Sequence, residues 1–84
     1  MYSVFYTSSA TRQFRRLPHE VTGRVREAVE ALAHQPRTPH TEKLAGELNA
    51  YRVRVGSYRV LYTIEDATRR VVVYRIRHRR EAYR

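Results

Sequence analysis

The chain lacks several residue types, and each absence excludes a class of function. None of its 84 residues is cysteine, which rules out disulfide bonds, thiolate catalysis and cysteine-based metal sites. No apolar run approaches the roughly 20 residues that cross a bilayer, and residues 1–6 do not resemble the start of a signal peptide. The four histidines lack metal-ligand spacing. We therefore expect a cytoplasmic protein with no cofactor, no metal and no membrane association.

Positive charge, by contrast, is abundant and unevenly placed. The formal net charge is +9, and Lys43 is the one lysine among 17 basic residues. Residues 1–50 hold seven basic and five acidic residues (+2), whereas residues 51–84 hold ten and three (+7). Arginine presents a planar fork of donors that suits bidentate phosphate contact and stacking on bases. The composition favours a nucleic acid or an acidic protein as the partner.

The length and the hydrophobic pattern predict one α+β domain covering residues 1–84. Apolar residues at helical spacing predict two helices, the first with Ser8 or Ser9 as its N-cap and the second with Pro18 in its first turn. Strands are predicted at residues 2–6, 51–55, 58–64 and 71–76. The expected order is β-α-α-β-β-β, with two N-terminal helices packed on a four-stranded, mostly antiparallel sheet.

Residues 51–62 carry the most informative pattern, because apolar residues and arginines alternate on both sides of a Gly-Ser turn at 56–57. A two-residue hairpin loop would place Arg54 opposite Arg59, with Arg52 on the same face. The other face would carry Tyr51, Val53, Val55, Tyr58, Val60 and Tyr62. Like charges directly opposite each other destabilise a sheet. The three guanidiniums are therefore expected to hold an anion, and a phosphate backbone is the leading candidate.

Three segments together resemble the RelE/ParE superfamily of bacterial toxins, and the RelE branch more closely. They are Lys43-Leu44-x-Gly46, the arginine hairpin of residues 51–62, and His78-Arg79-Arg80-Glu81-x-Tyr83. The resemblance covers nearly the whole chain, and the hairpin and the C-terminal segment are its most specific parts. It implies the toxin of a type II toxin–antitoxin pair. Its implied partners are a cognate acidic antitoxin, in a hetero-oligomer, and the ribosome with its mRNA.

In the RelE branch, the resemblance implies a metal-independent endoribonuclease (an mRNA interferase) that cuts mRNA in the ribosomal A site and inhibits translation. The ribose 2′-OH attacks the neighbouring phosphate and leaves a 2′,3′-cyclic phosphate. By resemblance, the catalytic residues are Arg54, Arg59, Arg79 and Tyr83, and the alignment leaves the adjacent Arg80 as an alternative to Arg79. His78 joins them because histidine is the side chain best suited to acid–base chemistry near neutral pH. The expected RNA-binding residues are Lys43, Arg52, Arg75, Arg77 and Arg80.

Two positions depart from the family pattern. Well-studied RelE enzymes have lysines where this chain has Arg52 and Arg54, and arginine stays protonated, so it is a poor base. Arg77 stands where the family often has glycine, and would either alter the backbone there or add a phosphate contact. Both departures move the base role towards Tyr83 or His78, and the sequence leaves that choice open.

Two other functions compete with the ribonuclease. A ParE-like toxin shares the fold but poisons DNA gyrase, and a basic module would bind nucleic acid without catalysis. The clustered arginines with Tyr83 favour the ribonuclease, because gyrase poisoning needs no phosphate-binding constellation. A binding module should lose affinity roughly uniformly as each arginine is removed, whereas an enzyme should lose rate at particular residues.

Overall fold

The structure, a computed structural model, describes residues 1–80. Its elements in chain order are β1 (Ser3–Tyr6), α1 (Ser8–Arg15), α2 (His19–His34), β2 (Thr41–Lys43), β3 (Ala50–Val55), β4 (Tyr58–Glu65) and β5 (Arg70–His78). The strands form one sheet in the order β1-β5-β4-β3-β2, in which β1 and β5 are parallel and the other pairs antiparallel. The predicted α+β class is confirmed. Neither described helix is long and apolar enough to cross a bilayer.

The prediction of four strands is wrong, because β2 adds a fifth. This strand pairs with β3 and places Glu42 opposite Arg52. It has three residues, Thr41 to Lys43, and no apolar alternation, so nothing in its sequence indicated a strand. Strand β5 is also longer than predicted and includes His78, which the sequence had placed in the tail.

Both helices begin within two residues of the predicted position. Thr7, rather than Ser8 or Ser9, is the N-cap of α1, and its side-chain oxygen accepts a hydrogen bond from the Ala10 N–H at 3.1 Å. Pro18 occupies the N-cap of α2 instead of its first turn, and its carbonyl accepts from the Val21 N–H at 2.9 Å. Proline suits either place, because a backbone N–H at the N-cap or in the first turn would have no partner within the helix.

The two helices cover one side of the sheet, which we call the inner face. Val25 and Val29 of α2 pack there with Val60 and Tyr62 of β4 in a single hydrophobic cluster. The Tyr62 hydroxyl donates to the Pro36 carbonyl at 2.7 Å, and burial raises the pKa of Tyr62 to about 12. The predicted apolar face of the hairpin is thus the face that forms the core.

A β-bulge changes the phase of β5. Tyr62 lies opposite Val73 and Leu61 lies opposite Arg75, so Tyr74 is an extra residue between the two pairs. Val73 and Ile76 are both buried, although strict alternation would have paired residue 73 with residue 75 on the same side. The bulge therefore keeps Arg75 and its neighbour Arg77 off the inner face.

A polar network joins segments at the far end of the sheet. Arg37 donates to both carboxylate oxygens of Asp66, at 3.1 and 2.8 Å, and its Nε donates to the Tyr51 hydroxyl at 3.0 Å. The Tyr2 hydroxyl also donates to Asp66, at 2.7 Å. These bonds, that from Arg37 first, lower the pKa of Asp66 to about 2. The network ties the N-terminus and the segment after α2 to the β4–β5 turn.

Candidate nucleic-acid interface

The side of the sheet away from the helices, which we call the arginine face, carries a row of guanidinium groups. Arg54 lies opposite Arg59 as predicted, and Arg59 lies opposite Arg77 on β5. The next row holds Arg52, Leu61 and Arg75. Opposed residues project on the same face of a sheet, so four of the predicted RNA-binding or catalytic arginines share this face with Arg59.

Two small cavities lie on the arginine face. The larger, of about 130 Å³, is lined by Arg54, Gly56, Tyr58, Arg59 and Arg79, and we call it the arginine cavity. The smaller, of about 20 Å³, is lined by His40, Glu42, Arg52, Arg54 and Arg59. Arg54 and Arg59 line both cavities, and Arg59 is 9% exposed. The two cavities therefore form adjoining parts of one basic site.

Arg79 joins this site through the hairpin turn. Its backbone N–H donates to the Ser57 carbonyl at 2.7 Å, which holds the segment after β5 against the turn. The structure thus brings together three predicted catalytic residues, Arg54, Arg59 and Arg79, around one concavity. Converging guanidiniums are suited to bind a phosphate and to stabilise additional negative charge on it.

Glu42 is a site residue that the sequence analysis missed. Arg52 donates to its Oε2 atom through Nη2 at 2.6 Å and through Nε at 3.1 Å. This hydrogen bonding, together with the charges of Arg54 and Arg59, lowers the pKa of the Glu42 carboxyl. The carboxylate is consequently a weak base that orients Arg52 and offsets the repulsion among the arginines. It went unnoticed because strand β2 was not predicted.

Arg24 of α2 is a second residue that was missed. Gly56 has a φ of +59°, whereas Ser57 is not among the residues with positive φ, which matches a type II′ turn with glycine first. A Cβ on Gly56 would lie 3.2 and 3.3 Å from the two terminal nitrogens of Arg24. The Arg24 guanidinium therefore lies against the turn that lines the arginine cavity.

Other predicted site residues lie apart from the arginine cavity. His78 is opposite Tyr58 on the inner side, where their ring centroids are 5.0 Å apart and nearly perpendicular. Its Nδ1 accepts from the backbone N–H of Arg80, an exposed residue, at 3.2 Å. Lys43 lies opposite Tyr51, again on the inner side. Tyr83 lies outside the described residues.

Comparison with known proteins identifies the family. The profile of the family described as "ParE toxin of type II toxin-antitoxin system, parDE" matches residues 4–83. The chain belongs to this family of type II toxins. The toxin is 37% identical to Toxin RelG of Mycobacterium tuberculosis over 87 residues, which cover 99% of this chain and 97% of RelG. The resemblance to the RelE/ParE superfamily is confirmed.

Solved structures match the toxin over most of its length. In the RelBE2 toxin–antitoxin complex of Mycobacterium tuberculosis, the matched chain is 32% identical with a TM-score of 0.81, covering 92% of this toxin and 96% of that chain. In the intact Escherichia coli RelBE complex, the TM-score is 0.81 at 23% identity, covering 90% and 94%. The second match shows the fold alone. Both structures are toxin–antitoxin complexes.

Proposed function

We propose that the toxin is a ribosome-dependent endoribonuclease that cleaves mRNA in the A site and so inhibits translation in the cytoplasm. The observation that carries this proposal is the convergence of Arg54, Arg59 and Arg79 on one cavity of about 130 Å³. Surface arginines that serve solubility need no common focus. Here three arginines line one cavity on a sheet face that no helix of residues 1–80 covers. This arrangement suits the binding of a phosphodiester.

The proposed reaction makes a new bond from the ribose 2′ oxygen to phosphorus and breaks the bond from phosphorus to the 5′ oxygen. The products are a 2′,3′-cyclic phosphate and a 5′-OH end. Negative charge accumulates on the phosphoryl oxygens in the transition state, and Arg54, Arg59 and Arg79 donate hydrogen bonds to them. Removing one such donor typically lowers the rate by about 100-fold to 1000-fold.

Two protons must also move, one from the 2′-OH and one to the departing 5′ oxygen. The arginines stay protonated and the lowered pKa of Glu42 makes it a poor acceptor, so neither suits the first transfer. We assign this transfer to Tyr83, because His78 lies on the inner side with Tyr58. A tyrosine, with an ordinary pKa near 10, needs cationic neighbours for this role. The departing 5′ oxygen takes up its proton from solvent water, so one proton is lost and one is gained by the RNA. Arg52, Arg75 and Arg77 flank the reacting phosphate as binding residues.

The antitoxin proposed for this site is an acidic protein whose segment covers the arginine face. Carboxylates would occupy the positions that phosphates take in the RNA complex. We expect the toxin–antitoxin complex to bind RNA far more weakly than the toxin does. Equal RNA affinity with and without the antitoxin would show that the antitoxin binds elsewhere.

The decisive experiment maps mRNA 3′ ends on translating ribosomes after addition of wild-type toxin, Arg59→Ala or Arg12→Ala. Arg12 is an exposed arginine of α1 and lines neither cavity of the arginine face, so its variant is matched in charge. We expect cuts in the A-site codon with wild type and Arg12→Ala, and a loss of about 100-fold or more with Arg59→Ala. Because Arg59 is buried, urea unfolding of the variant checks its stability.

A different result would redirect the assignment. Arrest of growth without A-site cuts would overturn the ribonuclease proposal and favour DNA gyrase as the target, in keeping with the ParE description of the family. RNA affinity that falls by similar factors for Arg59→Ala and Arg12→Ala, without any cleavage, would favour the non-catalytic binding module.

A further inference from the structure

A cleft lies next to the arginine cavity, at the edge of the sheet where β5 extends beyond the end of β1. Pairing between these strands ends with Tyr6 opposite Val73. Beyond that point the side chain of Gln13, from α1, takes the place of a strand partner, since its Oε1 accepts from the Ile76 N–H at 2.7 Å. The space between the end of α1 and the end of β5 is a cleft of about 540 Å³.

Two residues connect this edge cleft with the arginine cavity. Tyr58 lines both of them. Arg77 lines the edge cleft and is also the register partner of Arg59, which lines the arginine cavity. The arginine cavity and the edge cleft are therefore neighbours.

The lining of the edge cleft combines the groups that recognise a nucleotide. Arg16 and Arg77 are two basic residues of the lining, and Tyr58 and His78 bring two aromatic rings in edge-to-face contact. Leu17 adds an apolar wall. Single-stranded nucleic acids are held by cations along the backbone and by ring faces on which bases stack, each stacked base contributing about 1 to 3 kcal/mol.

We propose that the edge cleft is a subsite for the mRNA nucleotide adjacent to the scissile phosphate. Arg16 holds the phosphate of that nucleotide, Arg77 lies between it and the scissile phosphate, and the base stacks against the ring of Tyr58 or His78. Arg16 is a binding residue in this assignment and does not touch the reacting atoms. The inference rests on the proposed function, because it requires the scissile phosphate to lie in the arginine cavity.

The first test compares two probes that the toxin cannot cleave, a single-stranded 2′-O-methyl trinucleotide and inorganic phosphate. Arg16→Gln is compared with Arg15→Gln, which makes the same change of charge at the neighbouring exposed position that does not line the cleft. At fixed low salt, we expect Arg16→Gln to weaken trinucleotide binding about tenfold, the loss of one charge-assisted contact. Arg15→Gln should change it less than twofold, and phosphate binding should be the same in both variants.

NMR of the wild-type toxin gives a second readout that needs no substitution. The trinucleotide should shift the resonances of the His78 ring and the Leu17 methyl groups, whereas inorganic phosphate should leave them in place. Equal trinucleotide affinity of Arg16→Gln and Arg15→Gln, or unshifted His78 and Leu17 resonances at saturation, would overturn the subsite. If Arg59→Ala left the binding of both probes unchanged, the arginine cavity would not be the phosphate site, and the proposed function would be refuted.

Discussion

The inner face and the arginine face of the sheet consist of alternate residues of the same strands, yet they are organised for different ends. On β4, Val60 is fully buried under the helices, whereas its neighbour Arg59 projects to the side that the described helices leave uncovered. The inner face gathers aliphatic side chains whose burial stabilises the fold. The arginine face gathers like charges, which oppose folding. Stability and the proposed binding of RNA are therefore separated by the alternation of a strand.

The separation is incomplete at two places. Arg59 is 9% exposed although it carries a charge, so its removal affects both stability and chemistry. Gly56 lies where the arginine cavity meets Arg24, a residue of the helical layer. Substitutions at matched positions on the two faces measure how far the separation holds.

The largest effect is expected for Arg54→Ala, a substitution on the arginine face. Loss of one phosphate donor should lower the single-turnover rate of A-site cleavage by about 100-fold or more. Arg54 is exposed, so the free energy of unfolding should change by less than about 0.5 kcal/mol. Parallel cleavage assays and urea unfolding check this. A loss of rate accompanied by a comparable loss of stability would contradict a purely functional role.

The converse effect is expected for Val60→Ala, on the inner face of the same hairpin. Two buried methyl groups are lost and a cavity is left, so the free energy of unfolding should fall by about 2 kcal/mol. Cleavage by the folded fraction should be unchanged. Urea unfolding and a cleavage assay well below the transition temperature test both statements. If the cleavage rate falls under conditions in which all of the variant is folded, the two faces are coupled.

A smaller effect is expected for Gly56→Ala, for which Gly46→Ala is the matched control. Both glycines have positive φ, +59° and +80°, so alanine strains either position by about 1 to 2 kcal/mol. A Cβ at Gly46 meets no atom within 4 Å, whereas at Gly56 it meets the guanidinium of Arg24. Arg24 is exposed and its guanidinium can move aside, so the two variants should lose similar free energies of unfolding. Gly56→Ala alone should slow cleavage, because residue 56 lines the arginine cavity. Equal rates of cleavage by the two variants would mean that the turn does not shape the site.

The smallest effect concerns Asp66, in the network remote from the arginine face. Its pKa is lowered from 3.8 to about 2, so the ionised carboxylate stabilises the folded state. This contribution is complete above pH 3.8 and is lost as the pH falls towards 2. The difference in unfolding free energy between wild type and Asp66→Asn should shrink across that window. Glu65→Gln, at the adjacent carboxylate that lies 3.9 Å from Arg70, is the control. A difference in unfolding free energy that stays constant between pH 3.8 and 2 would contradict the lowered pKa of Asp66.

The register and the faces of the hairpin were predictable because a short turn fixes both. Once residues 56 and 57 are the turn, Arg54 must oppose Arg59, and alternation assigns every other side chain. The place of Arg79 followed only from the family resemblance. The structure supports it through the bond between its N–H and the Ser57 carbonyl.

Other features depend on tertiary contacts that a linear pattern does not contain. Strand β2 exists through its pairing with β3, and with it comes the contact between Glu42 and Arg52. The position of His78 on the inner side depends on the phase of β5 after the bulge. The sequence did contain one sign of this change of phase, since the apolar positions switch from odd-numbered Val71 and Val73 to even-numbered Ile76.

The bulge at Tyr74 also limits how this strand can change in length. Removal of that one residue would place Arg75 directly after Val73, so Ile76 would stay on the inner face and Arg75 and Arg77 on the arginine face. A deletion that the bulge does not absorb would instead shift the alternation by one residue, and a guanidinium buried without a partner is far more costly than a lost methyl group. The strand can therefore lose a residue at position 74 and keep both faces, whereas such a deletion would exchange the proposed binding surface for a disrupted core.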